Sequence, residues 1–310
     1  MLIFSSLLKK LRKEKGLSQL ELVEEITKFD SSLQNINTVT LSRWERDVTE
    51  PPLIRMLKVL KYFNFDTKLF LKHIHFEPSQ SQIKSFEKGL QQILDWHLFG
   101  VFTIDDPDTS CSIEFKQSGK TTFNVDYELL SRVNYVTSFV SGSNCHNLTP
   151  SDVRLLQAAC EDGRLVAQTC VDTLNNSLYA HGCNIAFDSN YTDFFKRKFE
   201  LRDLSIVDLV KAPKTESVSI LATPLVVFSE DWYKFCLRSL IEQSLKFEHV
   251  HMIYIYVIRQ DAVSTFKSMG FELIHVIQDK QTNTKRHIVG CSFEKLITNH
   301  GLLKYLRTFF

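Results

Sequence analysis

Two stretches of sequence determine how the chain begins to fold: LKKLRKEKGLSQLELVEEI at residues 8–26 and TVTLSRWERDVTEPPLIRMLKVLKYF at residues 38–63. Apolar residues recur in both at intervals of three and four residues. This spacing places the apolar side chains on one face of an α-helix and predicts a series of short amphipathic helices. We therefore expect residues 5–75 to form a small helical bundle.

Residues that start and stop helices divide this region further. Ser5 and Ser6 can cap the first helix, and Gly16 suits its C-terminal end. Ser18 and Glu21 have the spacing of a capping box that opens the second helix. The predicted buried residues of that helix are Leu20, Leu22, Val23 and Ile26. Asn37 can cap a third helix over residues 38–46, and the helix after Pro51-Pro52 should bury Leu53, Met56, Leu57, Leu60 and Phe63.

The order of the GLSQ-x-EL stretch, the LSRWER stretch and the final proline-initiated helix resembles the helix-turn-helix of the phage-repressor (Cro and cI-like, or xenobiotic-response-element) family. The resemblance covers residues 5–65. One departure is the segment TKFDSSLQNI at residues 27–36, which makes the connection between the second and third helices longer than the family's tight turn. We expect a loop or an extended second helix there.

The resemblance implies that the third helix lies in the major groove of DNA and presents its N-terminal side chains to base edges. Thr38, Val39 and Arg43 then face bases, with Arg43 suited to guanine and Val39 to a thymine methyl group. Gln19, at the start of the second helix, is expected at a phosphate. The remaining predicted DNA-contacting residues are Asn37, Thr40 and Arg46.

Other residues of the motif are expected to be structural. Arg12 and Glu45 match the family's internal ion pair, and Leu41 and Trp44 are expected in the core. The alternative for the whole region is a helical bundle that contacts proteins. The charge favours DNA, because residues 1–75 hold 13 Lys and Arg against 9 Asp and Glu, a balance of +4, whereas the remainder holds 24 against 27, a balance of −3.

Residues 77–97 are predicted to connect two domains. The segment EPSQSQ at residues 77–82 is a polar linker, and a helix with an apolar stripe follows it. That helix either packs on the following domain or pairs with a second copy of the chain. A two-fold dimer suits the spacing of DNA half-sites. The residues of the stripe are Ile83, Phe86, Leu90 and Ile93.

From residue 98 onward the pattern changes to alternating strands and helices. The first four predicted strands are VFTIDD, CSIEFKQSG, KTTFNVDYEL and RVNYVTSFVS. Residues 149–174 are predicted to form one or two helices, with Thr149 as cap and Pro150 in the first turn. Residues 218–293 then give the order strand, helix, strand, helix, strand, strand, which indicates a mixed α/β domain with a parallel portion.

This closing order, with the segment IRQDAVSTFKSMGFELIHV at residues 258–276, resembles the second half of the GNAT acyltransferase fold. In that family a helix ends in a Gly-Phe pair before the sixth strand, as Gly270 and Phe271 would here. The resemblance covers residues 215–295. We therefore predict two domains, an all-α helix-turn-helix bundle at residues 1–76 and a GNAT-like α/β domain at residues 98–310, joined by residues 77–97.

Two departures from the family argue against catalysis. The family binds the pyrophosphate of acetyl-CoA on backbone N–H groups of a glycine-rich turn, whereas FSEDWYKFC at residues 228–236 has no glycine and carries Glu230 and Asp231. Phe266 stands where a catalytic tyrosine is usual, and it has no proton to give. We therefore expect no enzyme, no catalytic residue, no metal and no required cofactor. A gap between the central strands can still hold an acyl group or acyl-CoA, lined by Val227, Tyr233 and Phe266.

The sequence as a whole predicts a sequence-specific DNA-binding transcription regulator whose C-terminal domain senses a ligand or dimerises. Its expected partners are a double-stranded operator, a second copy of the chain, and a small-molecule or protein effector. Two alternatives stay open: an N-acyltransferase with a DNA-binding arm, and a phage-type repressor whose C-terminal domain binds a protein. No apolar run reaches the roughly 18 residues of a membrane span, and we expect a cytoplasmic protein without membrane contact.

Overall fold

The computed structural model describes residues 3–74, 80–95, 113–117, 147–173, 178–189, 206–211, 217–222, 230–247, 249–257, 260–278, 285–299 and 301–302. The chain divides into two compact units. The first comprises Met1–Ile83 and Ile297–Phe310, and the second comprises Lys84–Leu296. The predicted order of a helical bundle followed by a mixed α/β sheet domain is confirmed.

The first unit is built from short helices. Their bounds are α1 Phe4–Glu14, α2 Gln19–Phe29, α3 Thr38–Glu45, α4 Leu53–Tyr62 and α5 Thr67–His73, and a single 3₁₀ turn, Ser31–Leu33, lies between α2 and α3. The second unit begins within α6, Gln80–Asp95.

Several predicted helix boundaries occur in the structure. Ser18 and Glu21 form a capping box at the start of α2, and the Asn37 side chain caps α3 by accepting from the Thr40 N–H group. Gly16 has a φ of +71°, a backbone conformation that glycine adopts at the end of a helix without strain.

The start of α1 differs from the prediction. The helix begins at Phe4, its N-cap is Ile3, and no side chain caps it, so Ser5 and Ser6 lie inside the helix. The reason is packing: the Phe4 ring is buried, with its centroid 6.4 Å from that of Trp44 and 6.1 Å from that of Phe70. Burial of an aromatic side chain outweighs the weaker preference of serine for the cap position.

The helical core contains most of the predicted apolar residues but not all of them. Leu41 and Trp44 are buried on the inner face of α3, as expected for structural residues. Leu20 was predicted on the buried face of α2 but is 57% exposed. Leu20 is two positions from the buried Leu22, and residues two apart lie on different sides of a helix. The buried residues of this unit include Leu8, Leu22, Ile26, Leu33, Met56, Leu57 and Leu60.

The connection between α2 and α3 is a loop rather than an extension of α2. The helix ends at Phe29, and Asp30 then caps the 3₁₀ turn by accepting from the backbone N–H of Ser32. Leu33 and Ile36 are buried, so the loop is attached to the core at two points. The longer connection is therefore a packed part of the bundle.

The described strands of the second unit form one mixed sheet. Its described strands are β1 Ile113–Gln117, β2 Leu165–Asp172, β3 Leu178–Asp188, β4 Ser217–Ala222, β5 His249–Val257, β6 Glu272–Gln278 and β7 Lys285–Ser292, in the order β1-β2-β3-β4-β5-β7-β6. Only β4 and β5 pair in parallel among these strands. The described helices are α7 Pro150–Glu161, α8 Ile206–Lys211, α9 Glu230–Ser244, α10 Gln260–Ser268 and α11 Phe293–Ile297.

The predicted closing order is present as β4, α9, β5, α10, β6 and β7. Gly270, with a φ of +97°, and Phe271 separate α10 from β6, as the acyltransferase resemblance implies. The parallel portion is the β4–β5 pair, joined by α9 as a crossover helix.

One prediction for the second unit is wrong. Residues 165–172 were expected to be helical, but they form β2, because α7 ends at Glu161 and Gly163 adopts a φ of +81°. Thr149 and Pro150 start α7 as predicted, with a capping box to Asp152. The strand is buried on both faces, so its sequence lacks the polar alternation that identifies a half-exposed strand.

Of the first four predicted strands, the described part of the chain contains one, since CSIEFKQSG includes β1. VFTIDD at residues 101–106, KTTFNVDYEL at 120–129 and RVNYVTSFVS at 132–141 lie outside the described residues. Across the part of the chain that the structure describes, no helix has the length and apolar character of a membrane span.

Helix α6 packs within the second unit. Its Gly89 is buried, and a Cβ atom at this position would lie 2.9 Å from Ser268 Oγ and 3.5 Å from Thr265 Cγ2 of α10. The close approach explains a glycine in the middle of a helix, where it otherwise costs about 1 kcal/mol relative to alanine. Of the two alternatives for this helix, the contact supports packing on the following domain.

Candidate nucleic-acid interface

Helix α3 has one buried and one exposed side. Leu41 and Trp44 point into the core, whereas Val39 is 61% exposed and Arg43 is also exposed. A single exposed valine is ordinary on a protein surface, so Val39 bears on DNA binding through its position four residues before Arg43, on the same side of α3. The exposed side combines this valine with the guanidinium of Arg43.

The N-terminal end of α3 is fixed by the side chains that were predicted to contact DNA. Asn37 Oδ1 accepts from the backbone N–H of Thr40 at 2.8 Å and from Thr40 Oγ1 at 3.0 Å. Thr38, the first residue of the helix, is half-buried. At the other end, Arg46 Nε donates to the carbonyl oxygen of Ser42 at 3.2 Å, and its side chain is exposed.

Arg12, Gln19 and Glu45 meet between α1, α2 and α3. Arg12 Nε and Nη2 donate to the two carboxylate oxygens of Glu45 at 2.5 Å and 3.0 Å, and Gln19 Nε2 donates to Glu45 Oε2 at 2.7 Å. Arg12 Nη1 also donates to the carbonyl oxygen of Leu17 at 2.7 Å. Such a two-point pair fixes orientation as well as charge. Gln19, expected at a phosphate, is thus held against α3.

The pKa of Glu45 follows from this network. Burial of the carboxylate would raise its pKa, but the hydrogen bonds from Arg12 and Gln19 and the charges of Arg12 and Lys9 outweigh burial, and the pKa lies below its usual value. Glu45 is therefore ionised at neutral pH and its charge is balanced inside the bundle.

A second acid, Asp30 in the connection before α3, is also buried and paired with a cation. Asp30 is buried, and Lys58 Nζ of α4 lies 3.1 Å from Asp30 Oδ2. Ser32 donates to Asp30 Oδ1 through its backbone N–H at 2.8 Å and its hydroxyl at 2.6 Å. Burial would raise the pKa of Asp30, but these hydrogen bonds and the Lys58 charge lower it below its usual value.

The Arg12–Glu45 and Lys58–Asp30 pairs neutralise the two acids on either side of residues 31–44. Residues 31–44 contain no Asp or Glu, and the acids at either end, Asp30 and Glu45, are buried and paired with Lys58 and Arg12. The exposed formal charge within residues 31–44 is Arg43. The segment therefore presents neutral polar groups, one apolar side chain and a cation, which suits the edges of bases and a phosphate backbone.

Of the residues proposed to line an acyl pocket, the structure describes Tyr233 and Phe266. The Tyr233 hydroxyl of α9 lies 3.8 Å from Met269 Sδ, and burial raises the pKa of this phenol, with a smaller contribution from Cys236. The Phe266 ring of α10 packs edge-on against Phe271, with their centroids 5.5 Å apart. Val227 lies outside the described residues.

The start of α9 does not fit a pyrophosphate. Glu230 and Asp231 are its first residues, and the Asp231 carboxylate is exposed, 4.0 Å from Lys234 Nζ. Two carboxylates oppose an anion at a helix N-terminus, where backbone N–H groups otherwise favour one. Within the described ranges, no group of three or more His, Cys, Asp or Glu could hold a metal ion.

A family model matches the first part of the chain. Residues 8–70 match the family described as helix-turn-helix. A comparison with curated protein sequences gives no significant match. The chain thus carries a helix-turn-helix of the phage-repressor type, followed by an α/β domain.

Solved acetyltransferase structures resemble the α/β part at low sequence identity. For mosquito arylalkylamine N-acetyltransferase like 5b the TM-score is 0.37 and the identity 13%, covering 59% of this chain and 100% of that one. For spermidine N-acetyltransferase from Vibrio cholerae, solved with CoA and spermine, the TM-score is 0.33 and the identity 13%, and the match covers 60% of this chain and 98% of that one. For a putative acetyltransferase from Salmonella typhimurium, solved with acetyl-CoA, the TM-score is 0.34 and the identity 10%, and the match covers 58% of this chain and 93% of that one.

Sequence reasoning missed two residues of the interface region, Asp30 and Lys58. They are 28 positions apart, and no local motif links them. The available signal was an isolated aspartate in an otherwise uncharged loop of the first unit. Once such an acid is buried, it needs a cation that pairs with it.

Proposed function

We propose that this protein is a sequence-specific DNA-binding transcription regulator. The observation that carries the proposal is the burial and pairing of Asp30 and Glu45, the acids on either side of residues 31–44, which leaves Val39 and Arg43 exposed in a segment without a carboxylate of its own. The match of residues 8–70 to the helix-turn-helix family supports it.

Each predicted residue has a role in this proposal. Arg43 binds the O6 and N7 atoms of a guanine through its two-pronged guanidinium, and Val39 contacts a thymine methyl group. Thr38 faces a base at the N-terminal end of α3. Asn37, Thr40, Arg46 and Gln19 contact or orient the sugar-phosphate backbone, while Arg12 and Glu45 hold α3 against α1.

The α/β domain supplies the second part of the regulator, as a dimerisation or effector-binding domain. Two helix-turn-helix units related by two-fold symmetry bind half-sites one helical turn apart, about 34 Å. An effector changes operator affinity only if it binds two arrangements of the dimer with different affinities. Sedimentation equilibrium of the full chain tests the dimer, and a monomer at micromolar concentration would contradict it.

Titration with acyl-CoA distinguishes the regulator from the acyltransferase alternative. Phe266 offers no proton, and the carboxylates at the start of α9 disfavour a bound pyrophosphate, so we expect neither thiol release nor tight binding. Calorimetry of the full chain with acetyl-CoA and with a long-chain acyl-CoA measures whether either compound binds. Heat with both, together with release of free CoA, would replace the regulator by the acyltransferase alternative.

The experiment that tests the proposed function is selection from a pool of random DNA duplexes by the full-length protein. We expect enrichment of one motif, arranged as an inverted repeat with half-site centres about 10 base pairs apart. Recovery of no common motif after repeated rounds would contradict sequence-specific binding.

A further inference from the structure

The connection between α2 and α3 exposes a row of neutral hydrogen-bonding side chains directly before the recognition helix. We propose that residues 31–37 form a second DNA-contacting element, in which the amides of Gln34 and Asn35 bind phosphates beside the bases contacted by α3. The proposal rests on the proposed function and adds to it a contact that the helix-turn-helix resemblance does not supply.

Hydrogen bonds and two buried side chains fix the conformation of the loop. Asp30 caps its 3₁₀ turn, and backbone hydrogen bonds run from Leu33 N–H to Asp30 O at 2.9 Å and from Ile36 N–H to Leu33 O at 2.9 Å. Leu33 and Ile36 are buried, and Lys58 binds both Asp30 and the Ser32 hydroxyl. Because the loop is ordered before DNA arrives, binding through it loses little conformational entropy.

The exposed groups of the loop suit the DNA backbone. Gln34 and Asn35 are exposed between the buried anchors Leu33 and Ile36, and Asn37 follows at the cap of α3. Amide N–H groups donate to phosphate oxygens in many protein–DNA contacts. The one acid of the loop, Asp30, is buried beneath it and paired with Lys58, so it does not repel the phosphates.

These amides lie close to the start of α3 along the chain. Asn35 precedes Thr38, the first residue of α3, by three positions, so their Cα atoms are at most about 11 Å apart. The major groove is about 12 Å wide. With the N-terminal end of α3 in the groove, the proposal places Gln34 and Asn35 beside the phosphates of one strand.

The test is a Gln34→Ala/Asn35→Ala double variant of the full-length protein, measured on the operator obtained by selection. We expect operator affinity to fall about five- to twentyfold, the loss of one or two hydrogen bonds to a charged acceptor. The base preference stays unchanged, because phosphates carry no sequence information. Asn64→Gly removes another exposed amide, after α4, and serves as the matched control with wild-type affinity.

Methylphosphonate substitution identifies the contact. Replacing single phosphates beside each half-site by neutral methylphosphonates should weaken the wild type at one or two positions and leave the double variant unaffected there. The isosteric Gln34→Glu/Asn35→Asp variant keeps side-chain shape, and its added carboxylates should weaken binding further than alanine does.

The outcomes separate this proposal from the proposed function. If Arg43→Ala weakens operator binding and both loop variants bind as the wild type does, the loop contact is wrong and the recognition helix stands. If the wild type selects no sequence, both proposals are wrong.

Discussion

The guanidinium of Arg12 on α1 holds the carboxylate of Glu45, at the end of α3, through two hydrogen bonds of 2.5 Å and 3.0 Å. Gln19, at the start of α2, donates to the same carboxylate. Three helices therefore share one buried anion, which holds the end of α3 against α1 and α2.

Removing this anion should destabilise the helical unit. In Glu45→Ala the Arg12 guanidinium, whose side chain is 13% exposed, loses its counter-ion, and we expect a loss of about 3 kcal/mol in the free energy of unfolding. Hydrogen exchange of peptides from α1 and α3, measured by mass spectrometry in the full chain, reports this unit separately.

Glu14→Ala is the matched control for that variant. It removes the carboxylate of an exposed pair, with Lys10 Nζ 3.8 Å from Glu14 Oε1 and side chains 69% and 57% exposed. We expect a change below about 0.5 kcal/mol. Equal losses in the two variants would show that the Arg12–Glu45 pair has no special role.

Acid should weaken the same unit. The pKa values of Asp30 and Glu45 are both lowered in the folded state, so the unfolded chain binds more protons and stability rises with pH across this window. The stabilisation is present above about pH 4, the usual range of carboxyl groups, and is lost as the pH falls through the lower folded values. Exchange rates in α3, divided by the intrinsic rate at each pH, measure the loss, and Asp30→Asn should flatten the profile.

Val39 should confer a preference for thymine over uracil. Replacing the contacted thymine by uracil removes one methyl group, and we expect the wild type to lose about 0.8 kcal/mol, the value of one buried methylene-sized group. Val39→Ala should lose this sensitivity. Val48 is as exposed, at 60%, but lies after α3, so Val48→Ala should discriminate as the wild type does. Equal sensitivity of Val39→Ala and the wild type would remove Val39 from the base contacts.

Gly89 should tolerate no large side chain. Gly89→Leu forces α6 away from Ser268 and Met269, and we expect a net cost of about 1–2 kcal/mol after the gain in helix propensity. Exchange in the α10 peptide should rise, whereas Lys88→Leu, at the exposed neighbouring position, should leave it unchanged. If Gly89→Leu instead abolishes a dimer and leaves hydrogen exchange of α10 unchanged, the result would support the alternative in which α6 pairs with a second copy of the chain.

The sequence predicted those helix boundaries that depend on contacts between residues close together in the chain. The capping box of Ser18 and Glu21, the Asn37 cap and the Thr149 cap each involve residues three positions apart, and all are present. The start of α1 was missed because Phe4 packs on Trp44 and Phe70, partners that are 40 and 66 positions away. Tertiary packing decided that boundary.

The second unit shows the same limit. Residues 165–172 carry apolar residues toward both faces of the sheet, a pattern that periodicity cannot distinguish from a buried helix. The later alternation of β4, α9, β5, α10, β6 and β7 was predictable because turns and helix caps separate the elements. For the interface, the family pattern identified Arg12 and Glu45, but the Asp30–Lys58 pair depends on the fold.

The most direct test of the central claim is the affinity of wild type and Arg43→Ala for the selected operator, measured by fluorescence anisotropy at one salt concentration. We expect Arg43→Ala to bind about 1–3 kcal/mol more weakly, to accept any base in place of the contacted guanine, and to keep the exchange protection of α3. Equal affinity and equal base preference in the two proteins would contradict the assignment of α3 as a recognition helix.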